Sequence, residues 1–281
     1  MQHTIVRWVL FFSICLSAAA YATPGINMPY GVSPVSHQIY SLHMACFYIC
    51  CVIGVLTFGV LFYSLIYHRK SRGVQAAHFH EHIGVEILWT VIPTLILIAL
   101  AIPATMVLKN IHNTDESKVT IKITGYQWKW KYEYLDQGIS FFSNLSTPQD
   151  QINNVKPKGE WYLLEVDNEV VVPVNAKVRL LVTADDVIHD WWVPELGVKQ
   201  DAVPGFINEN WFTVTTPGTY RGQCGELCGV NHAFMPIVVK AVSQAEFDQW
   251  VAAHNKSPQT QTAARDDDAI IKQALDALPQ S

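Results

Sequence analysis

Hydrophobic residues follow two different patterns along this chain of 281 residues. Uninterrupted apolar runs lie at about residues 8–16, 42–67 and 83–108, whereas short stretches of alternating or β-branched residues dominate from residue 119 onward. The second and third runs are each longer than the roughly 20 residues that cross the hydrocarbon of a bilayer. The pattern therefore predicts two membrane-spanning helices followed by a β-rich domain outside the lipid.

The first apolar run is typical of an export signal. Arg7 precedes it, and the small residues after it end in Ala20-Tyr21-Ala22, which matches an Ala-x-Ala cleavage site. The run itself is too short to span a bilayer comfortably. We therefore predict a signal peptide over residues 1–22 and a periplasmic N-terminal segment over residues 23–41. An uncleaved additional helix is the alternative.

A basic loop at residues 68–82 joins the two long runs. Its first five residues, 68–72, include three Lys or Arg side chains, and such cations remain on the cytoplasmic side of a membrane. We therefore predict a helical hairpin with a cytoplasmic loop and both ends facing outward. His78, His80 and His82 in this loop could be taken for a metal site, but no Cys or carboxylate supports one. We interpret them as a solvated segment at the membrane surface.

The β-rich part extends over about residues 119–250. Pro, Gly and Asn separate its short stretches, which is the pattern of many short strands and predicts an antiparallel sandwich or barrel. Residues 135–160 are interpreted as a polar excursion and residues 251–281 as a polar tail. The predicted strands are 119–125, 128–134, 161–166, 170–173, 177–183, 209–215, 218–223 and 237–242.

The composition agrees with a protein that is part membrane anchor and part soluble domain. Half of the residues are hydrophobic and 15% are charged. This hydrophobic fraction is high for a soluble domain and low for a chain that lies wholly in a membrane. The net charge of -5 does not provide the basic stripe that nucleic-acid binding requires. We therefore exclude nucleic acid as a partner and expect a basic soluble protein instead.

A set of soft metal ligands lies near the C-terminus. Cys224, Cys228, His232 and Met235 fall within one short loop, and His189 precedes them. Sulfur together with nitrogen selects copper over magnesium, calcium or manganese, and a weak Met ligand beside Cys and His is typical of copper electron-transfer centres. The pattern indicates a copper site with a redox function.

Two other interpretations of this loop remain open from the residues alone. Cys224 and Cys228 could form a small-loop disulfide, because an exported domain lies in an oxidising compartment. A disulfide, however, gives no reason for His232 and Met235 to follow. Zinc is the second alternative, although structural zinc sites are built from Cys and His without a thioether.

The number of sulfur ligands predicts two copper ions. A mononuclear blue site uses one Cys, two His and an axial Met, so the second Cys is surplus unless two ions share the thiolates. Two copper ions would need six ligands, and the sequence offers five side chains. The sixth ligand could be a backbone carbonyl between the cysteines, with that of Glu226 as the central candidate. One upstream strand end and one late loop supply these ligands, which fits a cupredoxin-like Greek-key barrel.

Together these residues resemble subunit II of haem-copper cytochrome c oxidase. The loop is similar to the binuclear copper A loop of that family, and further motifs extend the resemblance from the membrane region to about residue 250. The matching motifs are Cys224-Gly-Glu-Leu-Cys-Gly-Val-Asn-His-Ala-Phe-Met-Pro236, Gly125-Tyr-Gln-Trp-Lys-Trp-Lys-Tyr-Glu-Tyr134, Glu165-Val-Asp-Asn168 and Val193-Pro-Glu-Leu-Gly-Val-Lys-Gln-Asp-Ala-Val-Pro-Gly205. The resemblance implies the same cupredoxin-like Greek-key fold behind a two-helix transmembrane hairpin, in the inner membrane of a bacterium with the copper domain in the periplasm.

The resemblance also implies a role for each ligand. In that family the copper A centre accepts single electrons from cytochrome c and passes them to haem in subunit I, where oxygen is reduced to water. The implied ligands are bridging Cys224 and Cys228, terminal His189 and His232, weakly axial Met235 and the Glu226 carbonyl.

Five further roles follow from matching positions. Trp128 matches the exposed aromatic at which electrons arrive, and Asp167 and Asp186 correspond to carboxylates that face cytochrome c. The Glu226 carboxylate matches a residue that binds magnesium at the boundary with subunit I. Glu86 corresponds to a Glu at the mouth of a proton pathway that continues in the catalytic subunit.

Two related functions compete with this expectation. A thioredoxin-like copper chaperone also uses Cys-x-x-x-Cys and a distant His, but its cysteines precede that His, whereas His189 comes first here. A quinol oxidase subunit has the same architecture but lacks the copper ligands. No Cys-x-x-Cys-His occurs in the sequence, so we expect no haem in this chain and no fused cytochrome c domain.

Overall fold

The structure is a computed structural model that describes residues 27–254. The predicted signal peptide at 1–22 and most of the predicted tail at 251–281 lie outside the described residues. Within them, the chain forms two long helices, then two five-stranded sheets, and then a helix that packs on the edge of the sheets. Helix α1 (Pro34–Tyr67) and helix α2 (Ile83–Ile111) pack against each other, and both are long and apolar enough to cross a membrane.

Helix α1 begins earlier than the predicted span at residue 42. Ser33 caps it, because its hydroxyl accepts the N–H of Ser36 at 2.9 Å while the Ser36 hydroxyl accepts the N–H of Ser33 at 3.1 Å. Pro34 then occupies the first turn, where its missing N–H costs nothing. Hydrophobicity marks the part of the helix that suits lipid, whereas the capping residues set where the helix starts.

Two sheets pack face to face and form the β domain. The first has the strand order β3-β2-β1-β5-β8 and the second has the order β4-β10-β9-β6-β7. The pairs β1–β5 and β4–β10 are parallel and the other pairs are antiparallel, so the predicted all-antiparallel arrangement is wrong in these two places. The strands are β1 (Val119–Tyr126), β2 (Lys129–Tyr134), β3 (Ile139–Ser143), β4 (Val170–Pro173), β5 (Lys177–Ala184), β6 (His189–Val193), β7 (Val198–Ala202), β8 (Asn208–Thr213), β9 (Gly218–Cys224) and β10 (Pro236–Val242).

Several strand predictions are wrong. Residues 161–163 form a turn, residues 164–165 are irregular, and a single bridge from Val166 to Leu145 is the nearest approach to a strand there. The predicted polar excursion at 135–160 contains strand β3 and the short helix α3 (Gln149–Ile152). Strands β6 and β7 were not predicted, because β6 is buried at four of its five positions and lacks the alternation of a half-exposed strand.

Aromatic side chains fill the space between the sheets. Strand β2 alternates strictly between buried and half-buried positions, so Trp130, Tyr132 and Tyr134 all face inward. Helix α4 (Gln244–His254) closes one edge of the sandwich by placing Trp250 against Tyr134, with 5.0 Å between ring centroids. The β domain therefore has its own core, and it ends with a helix that continues to His254 rather than at the predicted residue 250.

The membrane hairpin is fastened to the β domain at the end of the helices nearest the sandwich. The Ser33 hydroxyl donates to the carbonyl of Leu196 at 2.7 Å, and the N–H of Val32 donates to the carbonyl of Glu195 at 2.8 Å. At the end of α2, the indole N–H of Trp211 donates to the carbonyl of Asn110 at 2.9 Å. Both helices are thus attached to the sandwich by buried or part-buried hydrogen bonds.

Candidate metal centre

Strand pairing brings the predicted ligands to one edge of the second sheet. Strand β6 begins at His189 and strand β9 ends at Cys224, and the antiparallel register places Trp191 opposite Cys224. Strand β10 begins at Pro236, immediately after Met235, and pairs with β9. The loop between β9 and β10 therefore starts beside β6, where Cys224 approaches His189, and ends where β10 pairs with β9.

The ligand atoms form a compact cluster, in which those of His189, Cys224 and Cys228 all lie within 4.8 Å of one another. His189 Nδ1 is 3.8 Å from Cys224 Sγ, which is 3.9 Å from Cys228 Sγ, which is 3.5 Å from His232 Nδ1. The backbone oxygen of Glu226 is 3.3 Å from Cys224 Sγ. Each of the two sulfur atoms thus has an imidazole nitrogen beside it.

The donor set fits soft metal ions better than it fits a disulfide. The sulfur atoms of Cys224 and Cys228 lie well beyond the roughly 2.05 Å of a disulfide bond, and both thiols are free. Burial, together with the neighbouring Cys224, raises the pKa of the Cys228 thiol to about 12. A cation beside Cys228 would therefore favour its thiolate, and sulfur with imidazole suits copper.

Met235 lies at the base of the loop. Its side chain is fully buried in the core, and its carbonyl accepts the N–H of Cys224 at 3.1 Å. This backbone bond ties the end of the loop to its beginning. Its burial in the core explains why an apolar side chain such as Met, rather than a polar one, occupies this position.

A hydrogen bond to a carboxylate orients the first imidazole. His189 Nε2 lies 2.9 Å from Asp186 Oδ1, so the N–H on Nε2 donates to the carboxylate and Nδ1 keeps its lone pair toward Cys224. Burial opposes ionisation of Asp186, but the bonds from His189 and from the N–H groups of Gln127 and Val187 lower its pKa below the usual value. Gly125 leaves room for the ring, since a Cβ there would lie 2.8 Å from His189 Cδ2.

The carbonyl of Cys228 is held by two side chains from the other sheet. Gln127 Nε2 donates to this oxygen at 2.8 Å and Trp128 Nε1 donates at 3.2 Å. Gly229 follows with φ of 118°, and a Cβ on it would lie 3.1 Å from both donor side chains. The loop therefore reaches the Gln127–Trp128 turn only because position 229 has no side chain.

The structure brings some of the predicted functional residues to the centre and leaves others away from it. Trp128 and Asp186 contact the ligand residues, and Glu226 lies in the loop with an exposed side chain. Asp167 instead caps a turn by accepting the N–H and the side-chain amide of Asn144 at 2.7 and 2.9 Å. These hydrogen bonds give Asp167 a structural role within the domain, and its predicted role in docking stays a prediction.

Glu86 lies at the far end of the hairpin from the metal centre. It is in the first turn of α2, where its carboxylate accepts the N–H of His82 at 3.0 Å. A helix of this length rises about 1.5 Å per residue, so roughly 40 Å separate its two ends. The side chain has a capping function in this structure, and its role at a proton pathway stays a prediction.

Two residues of the site were missed by sequence reasoning. Gln127 holds the carbonyl of Cys228, and only its position next to Trp128 could have indicated this. Asp190 follows the predicted ligand His189 directly and is fully buried. Burial raises its pKa, and the ammonium of Lys199 opposes that rise. The signal in the sequence that could have identified Asp190 is a charged residue placed directly between His189 and Trp191.

Comparisons with known proteins identify the family. Residues 119–242 match the periplasmic domain of cytochrome C oxidase subunit II, and residues 22–107 match its transmembrane domain. A probable cytochrome c oxidase subunit 2 from Rickettsia bellii is 41% identical over 254 residues, which cover 90% of this chain and 92% of the relative. The cytochrome c oxidase subunit 2 of Cyanidium caldarium is 39% identical over 78% of this chain and 86% of its own length.

Among solved structures, the periplasmic domain of subunit II of cytochrome oxidase from Bradyrhizobium japonicum is similar to part of the chain. It is 46% identical, with a TM-score of 0.46, and the match covers 51% of this chain and 97% of that one.

The family matches confirm the resemblance found in the sequence, the membrane anchor and the copper-binding cluster in a cupredoxin-like β domain. A subunit of this family is part of a haem-copper oxidase complex, which is an oxidoreductase. The chain therefore belongs to the cytochrome c oxidase subunit II family.

Proposed function

We propose that this chain is the electron-accepting subunit of its oxidase. It would take electrons from cytochrome c at a binuclear copper A centre and pass them to haem in subunit I, where oxygen is reduced to water. The observation that carries this proposal is the cluster of His189, Cys224, Cys228 and His232, in which each of the two buried sulfurs has an imidazole nitrogen beside it, at 3.8 and 3.5 Å.

Six groups would hold the metal. When bound, the copper pair takes up and releases one electron at a time. The short contacts between the two sulfurs and the two imidazole nitrogens support a site in which all four side chains would hold the copper. The proposed ligands are Cys224 and Cys228 as bridges, His189 and His232 as terminal ligands, Met235 as a weak ligand, and the carbonyl of Glu226.

The fold supports electron transfer because strand pairing and hydrogen bonds hold these side chains in position. Two paired strands hold His189 and Cys224, and the bond from Cys224 N–H to the Met235 carbonyl closes the loop. Gln127 and Trp128 hold the carbonyl of Cys228 from the opposite sheet. Ligands that are fixed before the electron arrives need little rearrangement when it does, and this favours rapid transfer.

Trp128 is proposed as the point at which electrons arrive. Its part-buried ring packs against the core, and its Nε1 donates directly to a cysteine ligand residue, so it links the domain surface to the metal centre. Asp186 and Asp167 are proposed to attract the basic face of cytochrome c. Both are exposed, and carboxylates in such positions steer a basic partner in a manner that depends on salt.

Two further roles concern ions rather than electrons. The exposed carboxylate of Glu226 is proposed to bind magnesium at the boundary with subunit I, because carboxylate oxygen suits this hard cation. Glu86 is proposed to lie near the mouth of a proton pathway that continues in subunit I. Its position in the first turn of α2, close to the basic loop, agrees with access from the cytoplasm.

The orientation in the membrane follows from the charges of the chain. The basic loop between α1 and α2 would remain in the cytoplasm, so that the β domain faces the opposite side. With the predicted export signal at residues 1–22, this places the metal centre in the periplasm and the hairpin in the lipid bilayer of a bacterial inner membrane. Subunit I and the other oxidase subunits would associate with it there.

The test uses the full chain, purified in detergent and loaded with copper. We expect two copper ions per chain and an electron spin resonance spectrum of one electron shared by two nuclei. Cys224→Ser should abolish this spectrum, whereas Cys50→Ser, in the membrane helix, should leave it unchanged. Bound zinc or a single-copper spectrum in the unaltered chain would refute the proposal. Isolation through a tag on the chain should recover subunit I, which separates an oxidase subunit from a copper chaperone.

A further inference from the structure

Asp190 is a buried carboxylate that the proposed function does not use. Its side chain is 1% exposed, and neither Oδ1 nor Oδ2 accepts a hydrogen bond of normal geometry. The nearest cation is Lys199, whose Nζ lies 3.4 Å from Oδ2 and whose own side chain is 59% exposed. Burying a carboxylate with so few partners costs free energy, so its presence calls for a physical reason.

The carboxylate packs against the backbone of the metal loop. Asp190 lies between the ligand His189 and the core residue Trp191 on β6, and its carbonyl accepts the N–H of Gly225 at 2.9 Å. A Cβ at Gly225 would lie 3.1 Å from both Cγ and Oδ2 of Asp190. The missing side chain at position 225 therefore makes the space that the carboxylate occupies, directly after the ligand Cys224.

We propose that Asp190 is a positioning residue that sets the reduction potential of the bound copper, by placing a negative charge beside the loop between the two cysteines. This inference rests on the proposed copper centre and adds a residue outside its ligand set. A nearby anion stabilises the more positive oxidised state over the reduced state, so Asp190 lowers the potential. Lys199 carries the opposite charge and raises the potential.

Burial decides how strongly each charge acts. Interactions of a buried charge are weakly screened, whereas water and salt screen an exposed one within about 8 Å at physiological ionic strength. Asp190 should therefore act more strongly than Lys199. Asp201 lies directly opposite Asp190 in the strand register and is exposed, so it carries the same charge in nearly the same place without the burial.

The experiment measures the midpoint potential of the copper-loaded full chain in detergent by spectroelectrochemistry. Asp190→Asn removes the charge and keeps the shape, and we expect about a tenfold shift of the reduction equilibrium toward the reduced state, or about 59 mV upward for one electron. Lys199→Gln should shift the equilibrium in the opposite direction by a smaller factor. Asp201→Asn is the matched control and should leave the reduction equilibrium within about twofold of the parent value. High salt should not remove the effect of Asp190→Asn.

The spectrum separates this inference from the proposed copper centre. A two-copper spectrum in the unaltered chain supports the centre, and only the shifts in potential concern Asp190. An unchanged potential in an Asp190→Asn chain with the native spectrum overturns the inference, as does an equal shift in Asp201→Asn. If Asp190→Asn does not retain copper, Lys199→Gln decides, and the inference is then wrong unless the potential falls.

A readout without metal is also available. A buried Asn costs less than a buried carboxylate without hydrogen bonds, and the exposed Lys199 loses little when its partner is removed. The metal-free Asp190→Asn chain should therefore unfold at the same temperature as the parent or at a higher one. A large fall in the unfolding temperature would show that Asp190 supports the fold instead, and it would overturn the inference.

Discussion

The indole Nε1 of Trp128 donates a hydrogen bond to the backbone carbonyl of Cys228 at 3.2 Å. The two residues come from different sheets and are 100 positions apart in the sequence. Gln127 donates to the same oxygen, so this carbonyl has two donors and does not depend on Trp128 alone. The indole is thus connected to a ligand residue without being essential for its position.

Trp128→Phe should slow the arrival of electrons without loss of copper. Phe keeps an aromatic ring at the position but cannot donate to the Cys228 carbonyl, whereas the bond from Gln127 continues to hold the loop. We expect the rate of copper reduction by reduced cytochrome c, measured by stopped flow, to fall by at least about tenfold, which corresponds to about 1.4 kcal/mol in the barrier.

The control for this change is Trp192→Phe. Trp192 is 42% exposed and lies on β6, three residues after His189. Its replacement removes a more exposed indole that makes no hydrogen bond to the metal loop within the described residues, so the rate should remain within about twofold. Equal rates for Trp128→Phe and the parent chain would remove Trp128 from the electron path.

Met235→Leu should change the copper potential and leave the fold intact. The Met235 side chain is fully buried, and Leu is an apolar residue of similar volume, so the cost in the free energy of unfolding should be below about 1.5 kcal/mol. Loss of the thioether removes a donor that stabilises the oxidised ion, and the potential should rise. Spectroelectrochemistry and thermal unfolding measure the two effects, and an unchanged potential would argue against Met235 as a ligand.

Sequence reasoning identified the copper-binding cluster because most of its predicted ligands lie close along the chain, and the complete ligand set stays a prediction. Cys224, Cys228, His232 and Met235 share one loop, and their types alone indicated copper. The strands around these residues were harder to predict from the sequence. Strand β6 carries His189 but is buried on both faces near the ligand, so its pattern resembles neither a half-exposed strand nor a turn.

Contacts between distant parts of the chain could not be predicted. Gln127 reaches the Cys228 carbonyl only because β1 and β2 of one sheet face the loop of the other. The parallel pairing of β1 with β5 and of β4 with β10 likewise depends on how the strands assemble and leaves no local pattern. The cap of helix α1 could be predicted only in part. The Ser33-x-x-Ser36 pair is visible in the sequence, but hydrophobicity alone predicts too late a start for the helix.

Glu209→Gln should reduce stability at neutral pH but not in acid. Arg179 donates two hydrogen bonds to the Glu209 carboxylate, at 2.6 and 3.1 Å, and these lower the pKa of Glu209 below 4.5. A lowered pKa means that the ionised form stabilises the folded state. This contribution is present above pH 4.5 and is lost as the pH falls through the folded-state pKa.

The expected loss for Glu209→Gln is at most about 1 kcal/mol at pH 7, because the pair is more than one third exposed and water screens it. Chemical unfolding of the full chain in detergent, at pH 7 and at pH 3, measures it. Arg179→Gln should cause a similar loss, and the double variant should lose less than the sum, since both changes break one interaction. A difference that is as large at pH 3 as at pH 7 would contradict the assignment.

Gly197→Ala should weaken the attachment of helix α1 to the β domain. Gly197 has a φ of 70°, which is unfavourable for Ala, and its Cβ would lie 2.8 Å from both the N and the Cα of Ser36. Because these are backbone atoms of a buried helix start, the helix or the turn must move. We expect the strain of the backbone to cost about 1 kcal/mol and the overpacking to add about 1–3 kcal/mol.

Gly205→Ala separates these two contributions. Gly205 has a φ of 80°, but a Cβ there meets nothing within 4 Å, so the change imposes the backbone strain without the contact. Unfolding of both full-length variants in detergent should show the larger loss for Gly197→Ala, and hydrogen exchange should show faster opening at the Ser33 cap in that variant alone. Because Ser33 also donates to Leu196, movement of the helix start breaks a bond to the β6–β7 turn. Equal losses in the two variants would mean that the helix start is not packed tightly against this turn.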